Sequence, residues 1–505
     1  MSTSSPWLEG VTLASTKPLS HTEGCDVCVV GGGIAGLTTA YLLAESGRSV
    51  VLLEANDTVA SGETAFTTAH LSWVIDDRFA HLASVRGDDV ARIGAGSHRS
   101  AIDFIREVVT RERIDCDFER VDGYLFNGET NVSIDLDREE ESLRKLGIEY
   151  ERVAASPLPG LTAGPCLRFA GQAQFHPLKY LAGLTTALHE RGGVIHTGTR
   201  VESISGGTPC QVKTSNGQTL SAKAVVVATG SPFDSGVVLH TKLAAYNTYA
   251  VGLEVPAGTV PHALFWDMED PYHYVRVQPG GTGSSTDLLI VGGEDHKTGQ
   301  ADDQAARWDR LVAWTRKRVP QAGAVKHHWS GQVFETPDGL GLIGRAPWGE
   351  NIYVITGDSG MGMTHGTLGG RLVTTLIRGE SDPLARVFDP NRWMPGALKT
   401  LFQENANVVA QYTDWLTGGD VSSIDQIPPG QGAVVRCGLT KHAVYRDEKG
   451  TATEMTSVCP HMGGLVRWNP GEKTWDCPCH GSRFSATGEV MHGPAVEGLK
   501  LVTKK

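Results

Sequence analysis

The sequence lacks the long apolar runs and the positive charge that mark membrane-spanning or nucleic-acid-binding proteins. No stretch approaches about 18 consecutive apolar residues, so we expect no membrane span. Residues 1–24 hold neither a basic leader nor an apolar run of signal-peptide length, so no secretory signal is expected. The formal net charge of −12 argues against nucleic acid, or an anionic membrane surface, as a partner.

Cysteine is also scarce, with 9 residues in a chain of 505. This number excludes a scaffold built from disulfides. Six cysteines are scattered along the chain and are expected to be ordinary buried thiols. The other three, Cys459, Cys477 and Cys479, lie in one short segment. The pattern predicts a reducing compartment, the cytoplasm, and a local metal site with cysteine ligands.

The length of the chain predicts more than one domain, because a single core of this size is unusual. Many of the 61 glycines stand next to short apolar runs, which favours an α/β architecture rich in strands and turns. The main boundary is expected between about residues 382 and 426. There a helical pattern at 393–417 gives way to glycine and proline, and short β-like runs follow.

A dinucleotide-binding pattern stands near the amino terminus. A buried strand at 26–30 leads directly into the run 31–36, Gly-Gly-Gly-Ile-Ala-Gly, and a helix and a second strand ending in Glu54 follow. Glycines permit the tight turn and the approach of a pyrophosphate, the helix N-terminus offers amide donors, and the acid accepts ribose hydroxyls. The predicted contacts are Gly31, Gly33, Ile34, Ala35, Gly36 and Glu54. The pattern alone does not separate FAD from NAD.

A second glycine-rich strand-to-helix turn occurs far along the chain, at 357–364, which is more than one NAD site requires. With these motifs, residues 24 to about 385 resemble the D-amino-acid oxidase family, which includes glycine and sarcosine oxidases. The stretch Thr336-Pro337-Asp338 is similar to a motif of that family. The resemblance implies FAD as the cofactor, an amine or amino acid as the substrate, and further cofactor contacts at Val201, Gly230, Gly357, Asp358, Gly360, Gly362, Met363 and Thr364.

The resemblance also implies an α/β fold, α+β overall, in which a Rossmann-like FAD-binding domain is interleaved with an antiparallel-sheet substrate domain. The expected limits are an amino-terminal segment at 1–23, FAD-binding parts at about 24–70, 170–235 and 335–384, substrate-domain parts at about 71–169 and 236–334, and a helical linker at 385–426.

Three departures from the family bear on the chemistry. Gly331 stands where some members attach flavin through cysteine, which rules out a bond at that position. Thr364 stands where sarcosine oxidases place a lysine for the substrate carboxylate. The strand 288–291 has no lysine to promote reaction with oxygen, which favours a dehydrogenase over an oxidase.

Catalytic residues are not evident from the sequence, and three candidates follow from position only. His70 falls where some relatives attach flavin through histidine, although it also fits a polar residue near the cofactor. Tyr274 and Arg276 lie in an alternating strand and could face the substrate, although Arg276 also fits an exposed strand position.

Two short loops near the carboxy terminus carry Cys459 with His461 and Cys477 with His480. Two cysteines and two histidines also suit structural zinc. The flanking Gly-Gly and Gly-Ser pairs instead make residues 427–505 resemble the Rieske family, a small all-β domain. The resemblance implies a [2Fe–2S] cluster held by these four residues.

Two differences separate the loops from respiratory Rieske proteins. The disulfide of those proteins has one partner here, Cys479, but Gly464 stands at the other position. Ser482 is retained, whereas a tyrosine that hydrogen-bonds the cluster is replaced by Phe484, which predicts a lower potential. A mononuclear Rieske oxygenase would also need a site of two histidines and one carboxylate, and no segment presents one convincingly.

The combined motifs predict a flavin-dependent amine or amino-acid dehydrogenase that passes electrons to the cluster, and a one-electron carrier protein is a possible partner. Two alternatives remain open: electrons could enter through the cluster, or the chain could be a redox sensor without an organic substrate. The two domains are expected to be independent of each other.

Overall fold

The computed structural model describes residues 3–128, 134–161, 164–233, 239–281 and 283–502. The strands of the amino-terminal part are β1 (Glu23–Val30), β2 (Val50–Leu53), β3 (His70–Leu71), β4 (Glu119–Phe126), β5 (Glu151–Val153), β6 (Cys166–Gln174), β7 (Val194–His196), β8 (Val201–Ser205), β9 (Cys210–Thr214), β10 (Thr219–Gly230), β11 (Ala244–Pro256), β12 (Ala263–Asp267), β13 (His273–Gln278), β14 (Thr286–Lys297), β15 (Val325–Glu335), β16 (Leu342–Arg345) and β17 (Ile352–Thr356). The carboxy-terminal strands are β18 (Gly432–Cys437), β19 (Thr440–Arg446), β20 (Ala452–Thr456), β21 (Arg467–Asn469), β22 (Thr474–Asp476), β23 (Arg483–Ser485) and β24 (Val490–His492).

The α-helices of the described residues lie mostly in the amino-terminal part. They are α1 (Ile34–Glu45), α2 (Phe79–Arg86), α3 (Asp88–Arg111), α4 (Ile134–Leu146), α5 (Pro177–Glu190), α6 (Gln304–Arg318), α7 (Gly362–Ile377), α8 (Leu384–Phe388) and α9 (Leu398–Gln411). Within the described ranges, none of these helices combines the length and the apolar character needed to cross a membrane.

The first sheet has the strand order β16-β17-β10-β1-β2-β7, and β9 joins it beside β10 with β8 beyond. The strands β17, β10, β1, β2 and β7 run parallel. Their apolar residues are buried because helices cover the sheet, and α1 packs against both α5 and α7. The predicted Rossmann-like α/β domain is confirmed.

The second sheet has nine strands, in the order β15-β11-β14-β13-β12-β4-β6-β3 with β5 beside β6. It is antiparallel except for the pair β4 and β12, which run parallel. These two strands come from distant parts of the chain, so no tight hairpin imposes an antiparallel arrangement on them. The strands of the two sheets alternate along the chain, which gives the interleaved architecture, while the domain limits themselves stay predictions.

The carboxy-terminal part contains two small antiparallel sheets, β18-β19-β20 and β21-β22-β23-β24. The predicted small all-β domain is therefore confirmed. Its contacts begin before residue 427, because the amide of Asp420 donates to the carbonyl of Val434 at 2.7 Å. Val421 also pairs with Val435 in an isolated bridge.

The connecting segment is helical over a shorter stretch than the pattern at 393–417 predicts. Helix α9 begins at Leu398, after a 3₁₀ turn at Pro395–Ala397, and a second 3₁₀ turn at Tyr412–Leu416 follows it. Pro395 disfavours the helical conformation at Met394, whose φ and ψ are −123° and 68°. The start of the predicted helix was therefore wrong.

Candidate cofactor sites

The turn between β1 and α1 requires glycine at two positions. Gly31 has a φ of 108°, and a Cβ atom there would lie 2.4 Å from the carbonyl oxygen of Ala228. A Cβ on Gly36 would lie 1.8 Å from the carbonyl oxygen of Gly31. No side chain fits at either position, so the backbone of the turn packs directly against α1 and the sheet.

Glu54 lies beside this turn at the end of β2. Its carboxylate accepts hydrogen bonds from the amides of Gly32 at 2.7 Å and Asn56 at 2.8 Å. The residue is only 8% exposed, and burial raises the pKa of its carboxyl above the usual value. These contacts hold the acid in the position where the sequence predicts an acceptor for ribose hydroxyls.

A cavity of about 340 Å³ joins the two glycine-rich turns. Gly33 precedes α1 and has no side chain that could cap the helix. The first residues of α1 line the cavity, so the amide groups at the helix N-terminus can bind anionic groups there. The cavity therefore fits an elongated dinucleotide. The predicted cofactor residues that line it are Gly31, Gly33, Ile34, Ala35, Glu54, Val201, Gly230, Gly357, Asp358, Gly360, Gly362 and Met363.

The second sheet forms another wall of the same cavity, with side chains from several strands: Thr248, Trp266, Tyr274 and Asp295. The hydroxyls of Tyr274 and Thr248 are 2.7 Å apart. Asp76 and Tyr272 join this wall, and the tyrosine hydroxyl donates to Oδ2 of Asp76 at 3.1 Å. Burial raises the pKa of Asp76 to about 6 and that of Asp295 to about 7.

His70 lines the cavity between these two walls. Its Nδ1 lies 3.1 Å from Oγ1 of Thr68, and its Nε2 lies 3.3 Å from the carbonyl oxygen of Val275. Burial, together with the nearby charge of Arg276, lowers the pKa of His70 to about 3. The imidazole is therefore neutral near the cofactor, and attachment of flavin to it stays a hypothesis.

The two Cys/His loops share one hydrogen-bonding pattern. In the first loop the amide of Cys459 donates to the carbonyl of Gly464, and the amide of Gly463 donates back to Cys459. In the second loop Cys477 and Ser482 form the first bond, and Gly481 returns the second. Matched loops present their side chains in equivalent ways, as a two-iron cluster requires of its two ligand pairs.

The four predicted ligands converge between these loops. The ring centroids of His461 and His480 are 5.1 Å apart, and the thiols of Cys459 and Cys477 are hydrogen-bonded to each other. Burial lowers the pKa of both histidines to about 4, so each neutral ring can offer a nitrogen lone pair to a metal. The donor set fits a Rieske cluster.

Gly464 and Cys479 face each other, as the comparison with respiratory Rieske proteins predicts. A Cβ on Gly464 would lie 2.6 Å from Sγ of Cys479. All nine cysteines are free thiols. The loops are therefore held without a disulfide.

The carboxy-terminal domain contacts the dinucleotide cavity directly. Its residues Met491, His492, Gly493, Ala495 and Val496 form part of the cavity wall. Nδ1 of His492 lies 2.9 Å from a carboxylate oxygen of Glu63 in the amino-terminal domain. The expectation that the two domains are independent was wrong, because one cavity is built by both.

Two further contacts join the amino-terminal domain to the Cys/His loops. Nε2 of Gln332, a cavity residue, donates to the carbonyl of Gly481 at 2.8 Å, next to the predicted ligand His480. The ring of His240 packs edge-on against His461 and His480, with centroid distances of 4.5 Å and 5.6 Å. The Cys/His loops therefore contact the amino-terminal domain, which forms most of the cavity.

Comparison with known families decides the identity of both parts. A family model described as FAD dependent oxidoreductase matches residues 26–376. The chain belongs to this family. A model of the Rieske [2Fe-2S] domain matches residues 419–503 of the same oxidoreductase. Its cofactors are FAD and a [2Fe–2S] cluster, as the sequence predicts, while the individual contacts to each cofactor stay predictions.

Relatives support both assignments. The oxidoreductase is 31% identical over 500 residues to the putative Rieske 2Fe-2S iron-sulfur protein YhfW of Bacillus subtilis, covering 98% of this chain and 97% of that protein. It is 28% identical to gamma-glutamylputrescine oxidoreductase of Escherichia coli, covering 72% and 86%. Its fold is similar to that of glycine oxidase from Geobacillus kaustophilus, with a TM-score of 0.61, 20% identity and coverage of 74% and 100%.

Three of the residues predicted for the flavin and substrate site do not line the cavity. Gly36 packs against the backbone of Gly31 in the turn. Thr364 turns its hydroxyl to Nδ1 of His98, 2.7 Å away. For Arg276 the sequence left open a position facing the substrate or an exposed strand position, but the side chain is fully buried and donates to backbone carbonyls, including Ala69 at 2.9 Å. It follows Tyr274 by two residues on the same strand, so it shares that face but lies beyond the cavity.

Sequence reasoning missed several residues that line the cavity or join it to the Cys/His loops. Asp76 and Asp295 gave a weak signal, since each is an acid that closely follows an apolar run. Gln332 and His240 gave none, because their importance comes from contact with a distant domain. Among the described residues, one group of potential metal ligands has its ligand atoms within 4.8 Å of one another, and it consists of Asp267, Glu269 and His273. That group does not supply the two histidines of an oxygenase iron site.

Proposed function

We propose that this oxidoreductase is an amine or amino-acid dehydrogenase whose electrons leave through its own Rieske cluster. The observation that carries the proposal is the shared cavity, because residues of the Rieske domain line the space that fits the flavin cofactor. Gln332 connects the cavity wall to Gly481, beside the ligand His480. A route from flavin to cluster inside one molecule requires this kind of fixed contact.

The chemistry would come from the cofactors. When bound, FAD would supply a two-electron acceptor for a hydride from the carbon next to the substrate nitrogen, and a cluster held by Cys459, His461, Cys477 and His480 would supply a one-electron exit used twice per substrate. The protein positions the substrate against the wall of Tyr272, Tyr274 and Trp266. His70 stays neutral there, so it adds no positive charge to the substrate end.

The relatives support the substrate class in broad terms. Gamma-glutamylputrescine oxidoreductase acts on an amine by its name, and glycine oxidase acts on an amino acid. The strand 288–291, which lacks lysine, supports a dehydrogenase. A one-electron carrier protein is the proposed acceptor, and the nine free thiols support a reducing compartment such as the cytoplasm.

An anaerobic mixing experiment tests the electron route. The holoprotein is mixed with a panel of amines and amino acids, flavin bleaching is followed by absorbance, and the cluster is followed by electron paramagnetic resonance. We expect bleaching to be followed by a Rieske-type signal at a rate independent of protein concentration, as an intramolecular transfer requires.

The variant His480→Ala provides the comparison. Without the cluster, substrate should still bleach the flavin, but turnover with a one-electron protein acceptor should stop. Rapid peroxide formation in air, equally fast in the variant, would show that the cluster is not the exit. Reduction of the flavin only by an external donor acting through the cluster would support the reverse direction.

A further inference from the structure

We propose that the substrate end of the cavity binds an organic cation, a protonated aliphatic amine without a carboxylate, through Asp295 and Asp76. The inference deepens the proposed function by naming the substrate class, and the oxidation of that amine rests on the proposed function. Binding of the cation is independent of the proposed function.

Among the described residues, each acid has a hydroxyl partner, Tyr272 for Asp76 and Thr248 for Asp295, but no paired cation. Within the described residues neither Asp76 nor Asp295 forms a salt bridge, and Oδ1 of Asp295 is a buried oxygen without a hydrogen-bond partner. An ionised acid in a cavity wall is costly unless a cation pairs with it or it takes up a proton, and the raised pKa values of both acids reflect that cost. Oδ1 of Asp295 is an oxygen that a donor on a ligand could use.

The arginines nearest to these acids are engaged elsewhere. Arg78 donates to the backbone carbonyl of Asp76, and to that of Asp267 at 2.9 Å. Arg307 donates to the backbone carbonyl of Asp295 at 3.2 Å, and its Nε pairs with Asp303 at 2.8 Å. The charges of Arg78 and Arg307 lower the pKa of Asp76 and Asp295, respectively, but among the described residues neither guanidinium forms a salt bridge with these two side chains.

Further acids lie near the same region. Glu335 is close enough to Asp76, Asp77 and Asp295 for their charges to raise its pKa, after the larger effect of burial. Asp76 in turn raises the pKa of Asp295. A bound cation would relieve this repulsion, whereas a carboxylate would add to it.

The walls beside the acids also suit a cation. Tyr272, Tyr274 and Trp266 line this part of the cavity, and the two tyrosine rings lie 5.4 Å apart. Aromatic faces attract alkylammonium groups and accommodate their alkyl chains. The combination of acids and aromatic rings therefore recognises both the charge and the apolar part of an aliphatic amine.

Among the described residues, no cationic side chain lies at this end of the cavity to pair with a carboxylate. Among the described residues that line it, Arg200 is the single arginine and no lysine is present. Arg200 is close to Glu54, which fits the dinucleotide, and it donates to the carbonyl of Val490 at 3.1 Å. His70 is neutral, and Thr364, at the position of the lysine in sarcosine oxidases, faces away from the cavity.

Matched ligands test the inference on the holoprotein. We would titrate n-butylammonium, n-butyrate and the zwitterion norvaline anaerobically, following the flavin absorption spectrum and, independently, calorimetric binding. We expect n-butylammonium to bind, and n-butyrate and norvaline to bind at least about tenfold more weakly.

Variants connect the binding to the two acids. Asp295→Asn and Asp76→Asn keep the shape of each side chain, and each should weaken n-butylammonium binding by at least about tenfold, as expected for the loss of a hydrogen bond to a charged group. Asp302→Asn, an exposed acid on the loop before α6, is the matched control and should change nothing. FAD content and far-ultraviolet circular dichroism verify that each variant is folded and loaded.

The outcomes separate this inference from the proposed function. Tighter binding of n-butyrate or norvaline, or unchanged affinity in both aspartate variants, would overturn the cation site. If an amino acid reduces the flavin and needs its carboxylate to do so, the dehydrogenase stands and the cation site fails. If n-butylammonium binds through Asp295 but no amine reduces the flavin, the cation site stands and the dehydrogenase fails.

Discussion

At the scale of single residues, Phe484 is the position where the sequence comparison expects the tyrosine of respiratory Rieske proteins. Phe484 is fully buried in β23, in the same core cluster as Cys459 and Cys477. Ser482 forms a hydrogen bond with Cys459, and its hydroxyl oxygen also accepts from the amide of Ala495 at 3.0 Å. Donors to ligand sulfur stabilise the more negative, reduced cluster, so the missing phenol should keep the potential low.

We expect Phe484→Tyr to raise the midpoint potential of the cluster. A hydrogen bond to a charged group contributes about 1.5–3 kcal/mol, which sets an upper limit of about 65–130 mV on the increase for one electron, reached when the bond stabilises only the reduced cluster. A redox titration followed by electron paramagnetic resonance measures the shift.

Phe402→Tyr is the control for this substitution, because it adds the same hydroxyl to an exposed position on α9. It should leave the midpoint unchanged. An unchanged midpoint in Phe484→Tyr itself would show that the ring does not point at the cluster.

At the scale of elements, the unit formed by β1, the turn and α1 places the helix N-terminus at the cavity. The close approach of α1 to the turn depends on Gly36, where a Cβ would contact the carbonyl oxygen of Gly31 at 1.8 Å. A backbone atom cannot move aside as a side chain can, so α1 itself would have to shift. The amides that face the cofactor would shift with it.

We expect Gly36→Ala to lose most of its FAD and to be destabilised by about 1–3 kcal/mol or more. The absorbance ratio of flavin to protein and the thermal unfolding midpoint measure both effects. Gly96→Ala, within α3 and with open space around the added methyl, should retain FAD and unfold at the same temperature or higher. Equal FAD content in the two variants would contradict the role assigned to the turn.

At the scale of the whole molecule, the two domains share a cavity wall but hold their cofactors through different residues. The cluster ligands lie on two loops, whereas residues 491–496 contact the cavity from β24 and the segment after it. Glu63 and His492 join the domains apart from the cluster ligands. Loss of the cluster should therefore leave the cavity wall in place.

We expect His480→Ala to lose iron and acid-labile sulfide and to keep FAD near one equivalent. Metal and sulfide analysis, together with flavin quantification after acid precipitation, measures the three contents, and the surface variant His189→Ala should retain all of them. Loss of FAD from His480→Ala would mean that the cluster loops are needed to close the flavin cavity. Stoichiometric zinc without sulfide in the unmodified protein would contradict the cluster.

The sequence by itself determined the features that depend on residues close together in the chain. The turn at Gly31–Gly36 and the paired Cys/His loops are local, because their chemistry needs fixed spacing within one short segment. The two cofactors followed from the family resemblances that these motifs carry, together with the later turn at 357–364 and the residues that flank the Cys/His pairs. The Rossmann-like domain was implied by the resemblance, and its apolar strands suit a parallel sheet because both faces of such a sheet are covered.

Only the tertiary structure decided which distant residues share the cavity. Asp76 and Asp295 meet there from separate segments, and the Rieske residues at 491–496 close it. The strand pattern placed Arg276 on the same face as Tyr274, but the position of the cavity along that strand depends on neighbouring strands and α1. Contacts between segments far apart in the chain leave no periodic or local pattern in the sequence. The acidic end of the cavity, and the contact of the Cys/His loops with the amino-terminal domain, therefore required the tertiary structure.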